Sequence, residues 1–203
     1  MHSSAYNEFV KRVNTDGYKQ GYNEKLFELI FPEELDDVKT IIEEKFNNGD
    51  NEMSVFMPKI QNGKEKLEAR AHGLNKTCYA YCLIMRVLYN STQKECYFDN
   101  LIEVLNSDDE DVRLDAIFCL LKCGKSKKLY EVFRHQCMID EDEDVRLSCV
   151  DGMFYCQNII SNPFRIQTLE QPWEQLKLEM FDCDRDKEER INSILEFEKL
   201  VGV

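Results

Sequence analysis

The sequence predicts an all-α chain built largely from helix pairs, and three observations carry that expectation. Only 8 Gly and 4 Pro punctuate the 203 residues, so sharp turns are scarce. Apolar residues recur at spacings of three and four, the period of a helix face, rather than at two. Finally, Asp109-Glu110-Asp111-Val112-Arg113-Leu114 returns letter for letter as Asp142-Glu143-Asp144-Val145-Arg146-Leu147, a shift of 33 residues that marks an internal repeat.

From the N-terminus, helices are expected over about 4–13 and 23–31, separated by the Gly- and Tyr-punctuated loop Gly17-Tyr18-Lys19-Gln20-Gly21-Tyr22. The stripe Leu35, Val38, Ile41, Ile42 and Phe46 follows Pro32, stops at Asn47-Asn48-Gly49, and predicts one helix over 33–47. Residues 49–63 read as loop, with Ser54-Val55-Phe56-Met57 as a candidate short strand. Leu74, Cys78, Tyr81, Cys82, Met85, Leu88 and Tyr89 then mark a strongly apolar, buried helix.

The flanks of the duplicated hexapeptide extend the repeat. A shift of 33 pairs Ala116 with Cys149, Ile117 with Val150, Leu120 with Met153, Leu121 with Phe154 and Cys123 with Cys156, so both copies present one apolar helix face. It also pairs Ser107 with Asp140, each three residues before a Glu, the spacing of a capping box. Acids in a first turn complement the helix dipole as well. Each copy follows another apolar-periodic segment: Phe98, Leu101, Ile102 and Leu105, then Leu129, Val132, Phe133 and Cys137. The unit is therefore a helix pair. A degraded third copy runs from Trp173 to Phe181 and on from Asp186, with Arg190 and Ile191 in the places of Arg113 and Leu114. The polar stretch 157–171 lengthens its connection.

Asp-x-Val-Arg opening the second helix of such a unit resembles the HEAT and HEAT-like repeats. The resemblance covers 97–156 well and 172–201 weakly. It implies a right-handed α-solenoid of helix pairs near 97–123, 127–156 and 172–201, within an array over 66–203; residues 1–65 do not match the pattern and read, from their own periodicity, as a helical segment with no assigned role. It also implies a ladder between repeats, in which Asp111 or Asp109 bonds Arg113, and Asp144 or Asp142 bonds Arg146.

The charge bounds the function. With 39 acids against 26 basic residues the formal net charge is -13, which opposes a nucleic-acid clamp and favours a basic protein partner. The start of the chain has no apolar leader core, and there is no run of about 18 apolar residues, so no membrane association and a cytoplasmic site are expected. Nine cysteines, an odd number set mostly in apolar stretches, read as reduced core residues rather than a disulfide framework. His72, Cys78 and Cys82 are a poor zinc set, because one helical turn separates the two thiols where a zinc knuckle spaces them by two residues. Gly124-Lys125-Ser126 lacks the glycine five positions earlier that a phosphate loop requires. The acidic runs lack the central glycine of a calcium loop. No nucleophile elbow, dinucleotide fingerprint or His-Glu-x-x-His motif occurs. A non-catalytic protein with no cofactor and no metal is expected.

Residues 97–160 hold 14 acids and 7 basic residues, and nine of the acids fall at the two repeat starts. The expected partner-binding residues are Asp108, Asp109, Glu110 and Asp111 in one copy and Asp140, Glu141, Asp142, Glu143 and Asp144 in the other. Asp115 and Phe118, with Asp151 and Tyr155, extend them along the helix face opposite the shared core. Small acidic helical proteins of this kind resemble toxin-immunity and inhibitor proteins in charge, size and architecture, and that likeness implies a cognate basic toxin, for example a nuclease, as partner. Two alternatives stand beside it. One is a HEAT-like adaptor in a cytosolic complex. The other is an enzyme with an N-terminal site near Tyr18, Tyr22, Glu33, Glu34, Asp36 and Asp37.

Overall fold

The computed structural model describes residues 2–14, 24–165 and 167–203. Among them the chain is all-α, with eleven α-helices, three short 3-10 segments and no strand. It divides into two compact units, Met1–Tyr97 and Phe98–Val203. That division differs from the boundary at 65/66 suggested by the repeat pattern, because the helices just after residue 62 pack with those before them.

In the first unit, α1 (Ser4–Asn14) and α2 (Glu24–Glu28) precede a 3-10 turn, Pro32–Glu34, that leads into α3 (Leu35–Asn47). The Gly17–Tyr22 loop lies outside the described residues. Ser54–Met57 is not a strand but part of two 3-10 turns, Asn51–Val55 and Met57–Lys59. Asp50 accepts the Glu52 N–H and starts the first turn, Pro58 sits in the second, and Met53, Phe56 and Met57 are fully buried. A lone apolar tetrapeptide has no strand to pair with, whereas tight turns satisfy its backbone locally. Next come α4 (Gly63–His72) and α5 (Tyr79–Thr92), whose residues Tyr81 to Leu88 are all buried. Gly63 is obligatory where α4 begins, since a β-carbon there would lie 1.7 Å from the Met57 carbonyl oxygen. Phe9 and Phe27 close this core over Phe56, with ring centroids 5.5 and 5.9 Å apart.

The second unit runs through α6 (Glu95–Val104), α7 (Glu110–Leu121), α8 (Lys127–Ile139), α9 (Glu143–Cys156), α10 (Trp173–Phe181) and α11 (Lys187–Val201), of which α8 with α9 and α10 with α11 pack as pairs. The division between units falls within α6. Gly124, at φ +100°, turns the chain out of α7, and the Ser126 hydroxyl caps α8, so Gly124-Lys125-Ser126 is a helix-to-helix turn. Helix α9 packs against α7, α8 and α10. The α8–α9 approach is closest at Gly152, where a β-carbon would meet the Phe133 ring at 2.3 Å. Phe154 of α9 and Phe197 of α11 stack at 4.8 Å, and Trp173 of α10 meets both edge-on. The Arg134 guanidinium and the Tyr130 hydroxyl both bond Glu198, tying α8 to α11.

The nine cysteines are all free; Cys82, Cys119, Cys137 and Cys149 are buried, whereas Cys96 and Cys183 are exposed. No described helix is long and apolar enough to cross a membrane.

Candidate protein-binding surface

The repeat starts are built on caps, but not the caps that the spacing suggested. Asp109 and Asp142 are the N-cap residues, their carboxylates accepting from the N–H groups of Asp111 and Val112, and of Val145. Ser107 and Asp140 sit two residues earlier and accept from the N–H of Asp109 and Asp142, at 3.2 and 3.0 Å. An Asp two residues closer to the helix outcompetes them for the first free amides. Both copies keep this arrangement in register. The reciprocal capping box occurs instead at the start of α11, between Asp186 and Glu189.

Asp140 is the largest departure from an acidic surface stripe. It ends α8, is buried, and takes a bidentate pair from Arg113 with both N···O distances 2.9 Å. Gln136 donates to it at 2.6 Å. Burial pushes its carboxyl up, but Arg113, Gln136 and the Asp142 N–H overrule burial and hold it below the ordinary aspartate value. Arg113 thus pairs with the acid that ends α8, and not with Asp109 or Asp111. Arg146, its counterpart, takes no carboxylate. Its guanidinium donates to the carbonyls of Phe181, Asp140 and Glu141, at 2.7 to 3.2 Å, and is 2% exposed. Each arginine also reaches back six residues, to the Ser107 or Asp140 carbonyl. Arg190 reaches back five residues to the Arg185 carbonyl, as Arg146 does to that of Glu141.

The outer-face residues have acquired partners. Lys177 of α10 pairs with Asp151 at 2.5 Å, although burial outweighs Lys177 and leaves the Asp151 carboxyl raised. Lys125 lies 4.2 Å over the Tyr155 ring and bonds Asn158. Phe118 is 43% exposed and faces Phe164, with Lys122 over the Phe164 ring. Asp115 is half-buried; burial first, then Asp111 and Asp109, raise its carboxyl. Sequence reasoning missed Lys125, Phe164 and Lys177. Phe164 had one signal, as an aromatic residue alone in a polar connection.

Besides the exposed cap residue Asp109, five acids stay exposed at the repeat starts: Asp108, Glu110 and Asp111, with Glu141 and Asp144. None of them caps a helix, and among the described residues none has an ion-pair partner. Glu143 and Asp142 are half-buried, and Glu143 lies near the Cys183 thiol, which it pushes up. A groove of about 410 Å³ runs beside α9, walled by Leu147, Leu169, Leu178 and Phe181.

In the first unit, Tyr18 and Tyr22 lie outside the described residues. Glu34 is buried and bonded by the Ser3 N–H and hydroxyl, while Asp36 pairs with Lys39. Among the described residues no group of three or more His, Cys, Asp and Glu is placed to hold a metal ion. No protein-family model, no characterised protein and no solved structure matches the chain.

Proposed function

We propose that this protein is a cytoplasmic, non-catalytic binding module that masks a basic protein partner, as a toxin-immunity or inhibitor protein does for a cationic toxin such as a nuclease. Helices α6 to α11 stack as a short right-handed, HEAT-like α-solenoid, and the acids at the starts of α7 and α9 form the contact. The observation that carries this reading is the surplus left after structural duties are met. Asp109 and Asp142 cap helices and Asp140 is neutralised by Arg113, yet Asp108, Glu110, Asp111, Glu141 and Asp144 stay exposed and, among the described residues, outside any ion pair. Repelling acids held close cost stability, and a cationic surface relieves that cost while steering its own approach.

Affinity capture with the full chain, followed by association kinetics on whatever is captured, tests this. A basic protein should bind, its association rate should fall steeply with added salt, and exchanging the five acids for lysine should abolish capture. Retention of the partner by that charge-reversed variant would sink the reading.

An adaptor that grips an apolar segment is the second reading. The exposed Phe118, Phe164 and Leu178 and the groove beside Leu147 favour it. It requires association that is indifferent to salt and is lost with Phe118→Ser or Leu178→Ser.

A further inference from the structure

Arg86 lies in the middle of α5, in the run Tyr81 to Leu88 where every residue is buried, and only 6% of its surface is exposed. Among the described residues no acceptor takes a hydrogen bond from its guanidinium and no acid lies within ion-pair distance, and its nitrogens keep contact with solvent at the notch. A guanidinium cannot shed its proton to escape burial, so it is normally held by an anion or a full set of acceptors. The buried Arg146 of the second unit shows what such a set looks like, with three carbonyls around it. Arg86 has instead a cavity of about 180 Å³.

Lys59, Asn90 and Ser91 share the lining of that cavity with Arg86, and Val55 and Pro58 form its apolar wall. Lys64 stands beside it, its ammonium 3.1 Å from the Ser91 carbonyl oxygen. The only acid paired at the rim, among the described residues, is Glu28, 3.7 Å from the Lys59 ammonium and itself largely exposed. Two cationic residues, Lys59 and Arg86, thus share the lining of a small notch in a chain whose net charge of -13 repels anions.

We propose that this notch binds a phosphate-class oxyanion, free or as the head group of a small phosphomonoester. The planar fork of Arg86 matches two oxygens of such an anion, and Lys59, held only loosely at 3.7 Å from the exposed Glu28, supplies a second cationic donor. A notch of about 180 Å³ has room for one oxyanion. The site belongs to the first unit and is independent of the acidic surface on the second.

Calorimetric titration and thermal unfolding of the full chain with inorganic phosphate, against chloride at matched ionic strength, test the proposal. Phosphate should give a saturable heat and a saturable rise in midpoint, whereas chloride gives neither. Lys59→Ala should weaken phosphate about ten-fold, the loss of one charge-assisted contact. Arg86→Met should abolish the response while leaving a cooperative transition, raised in phosphate-free buffer because an unpaired buried charge is gone. Glycerol phosphate distinguishes the sources: tighter binding than inorganic phosphate makes the ester the ligand, and weaker binding makes it the free anion. Absence of any saturable response in the wild-type chain overturns the proposal, as does an undiminished response in Arg86→Met. Should Arg86→Met fail to fold, an unchanged phosphate affinity in Lys59→Ala overturns it instead.

Discussion

Arg113 and Arg146 occupy the same place in two identical hexapeptides, yet one is an ion-pair partner and the other is not. Arg113 meets a carboxylate, Asp140, because the helix that follows it in the array ends in an acid whose side chain turns inward. Arg146 meets the end of α10 through the Phe181 carbonyl, while Asp182, the residue that ends α10, turns its carboxylate to the Asp184 N–H. The same six letters therefore set the donor and its direction, and the next pair in the chain decides the acceptor. A repeat motif specifies half of each inter-repeat contact.

The two copies differ most where Arg146 is removed. Arg146→Met orphans carbonyls at Phe181, Asp140 and Glu141 in a site closed to water, and should destabilise by about 3–5 kcal/mol in urea unfolding. A loss under about 1 kcal/mol would show that relaxation or water replaces the arginine.

Arg113→Met should cost less, about 2–3 kcal/mol near neutral pH, because the pair is partly solvated. Its pH dependence separates the two arginines. The Asp140 carboxyl is held below its unfolded value, so its stabilisation is present above the ordinary aspartate pKa and is lost as pH falls through the folded one. Without Arg113, burial drives the same carboxyl upward and it takes a proton readily. The gap between wild type and Arg113→Met should therefore narrow as the solution is acidified, whereas the gap for Arg146→Met, whose acceptors are carbonyls, should not follow it. Parallel stability profiles for the two variants would remove the distinction drawn between the copies.

Position 152 and its counterpart 119 sharpen the comparison through packing. Gly152 lets α9 lie against the Phe133 ring, and the place of Phe133 in the earlier copy is taken by Asn100. Gly152→Ala should cost about 2 kcal/mol, since the Phe133 ring must move. Cys119→Ala deletes one buried sulfur and should cost about 1 kcal/mol by the same unfolding assay.

What was legible in the sequence follows from where information is local. The 33-residue period placed the starts of α7 and α9, because caps and apolar faces are written within a turn or two of where they act. Helix α4 was missed for the same reason: Gly63–His72 buries only Leu67 and Ala71 besides its first residue, a stripe too narrow to stand out of a charged segment. The candidate surface was read less well. Asp140 and Asp151 looked like two more acids in a solvated run, and their burial depends on Arg113 and Lys177, 27 and 26 residues away in sequence. Arg86 gave no signal at all, since a single arginine in an apolar helix reads as an exposed edge until its neighbours are placed.

The smallest expected effect bears most directly on function. Asp115 stands where the second copy has Ser148, and it lies four residues from Asp111 on the same helix face, where like charges repel. Burial, Asp111 and Asp109 raise its carboxyl, so the folded state favours its protonated form. The sign is opposite to that of Asp140: as pH rises through the ordinary aspartate value toward the raised one, Asp115 subtracts stability, and the penalty is full above both. Asp115→Asn should accordingly stabilise the free protein near neutral pH by about 0.3–0.5 kcal/mol, kept small by solvent screening, and the gain should fade on acidification. Ser148→Asp should install the same penalty in the second copy. If a basic partner is what relieves this repulsion, Asp115→Asn must slow association while stabilising the unbound chain. A variant that is more stable and binds just as fast would mean that the acids serve the helix starts alone.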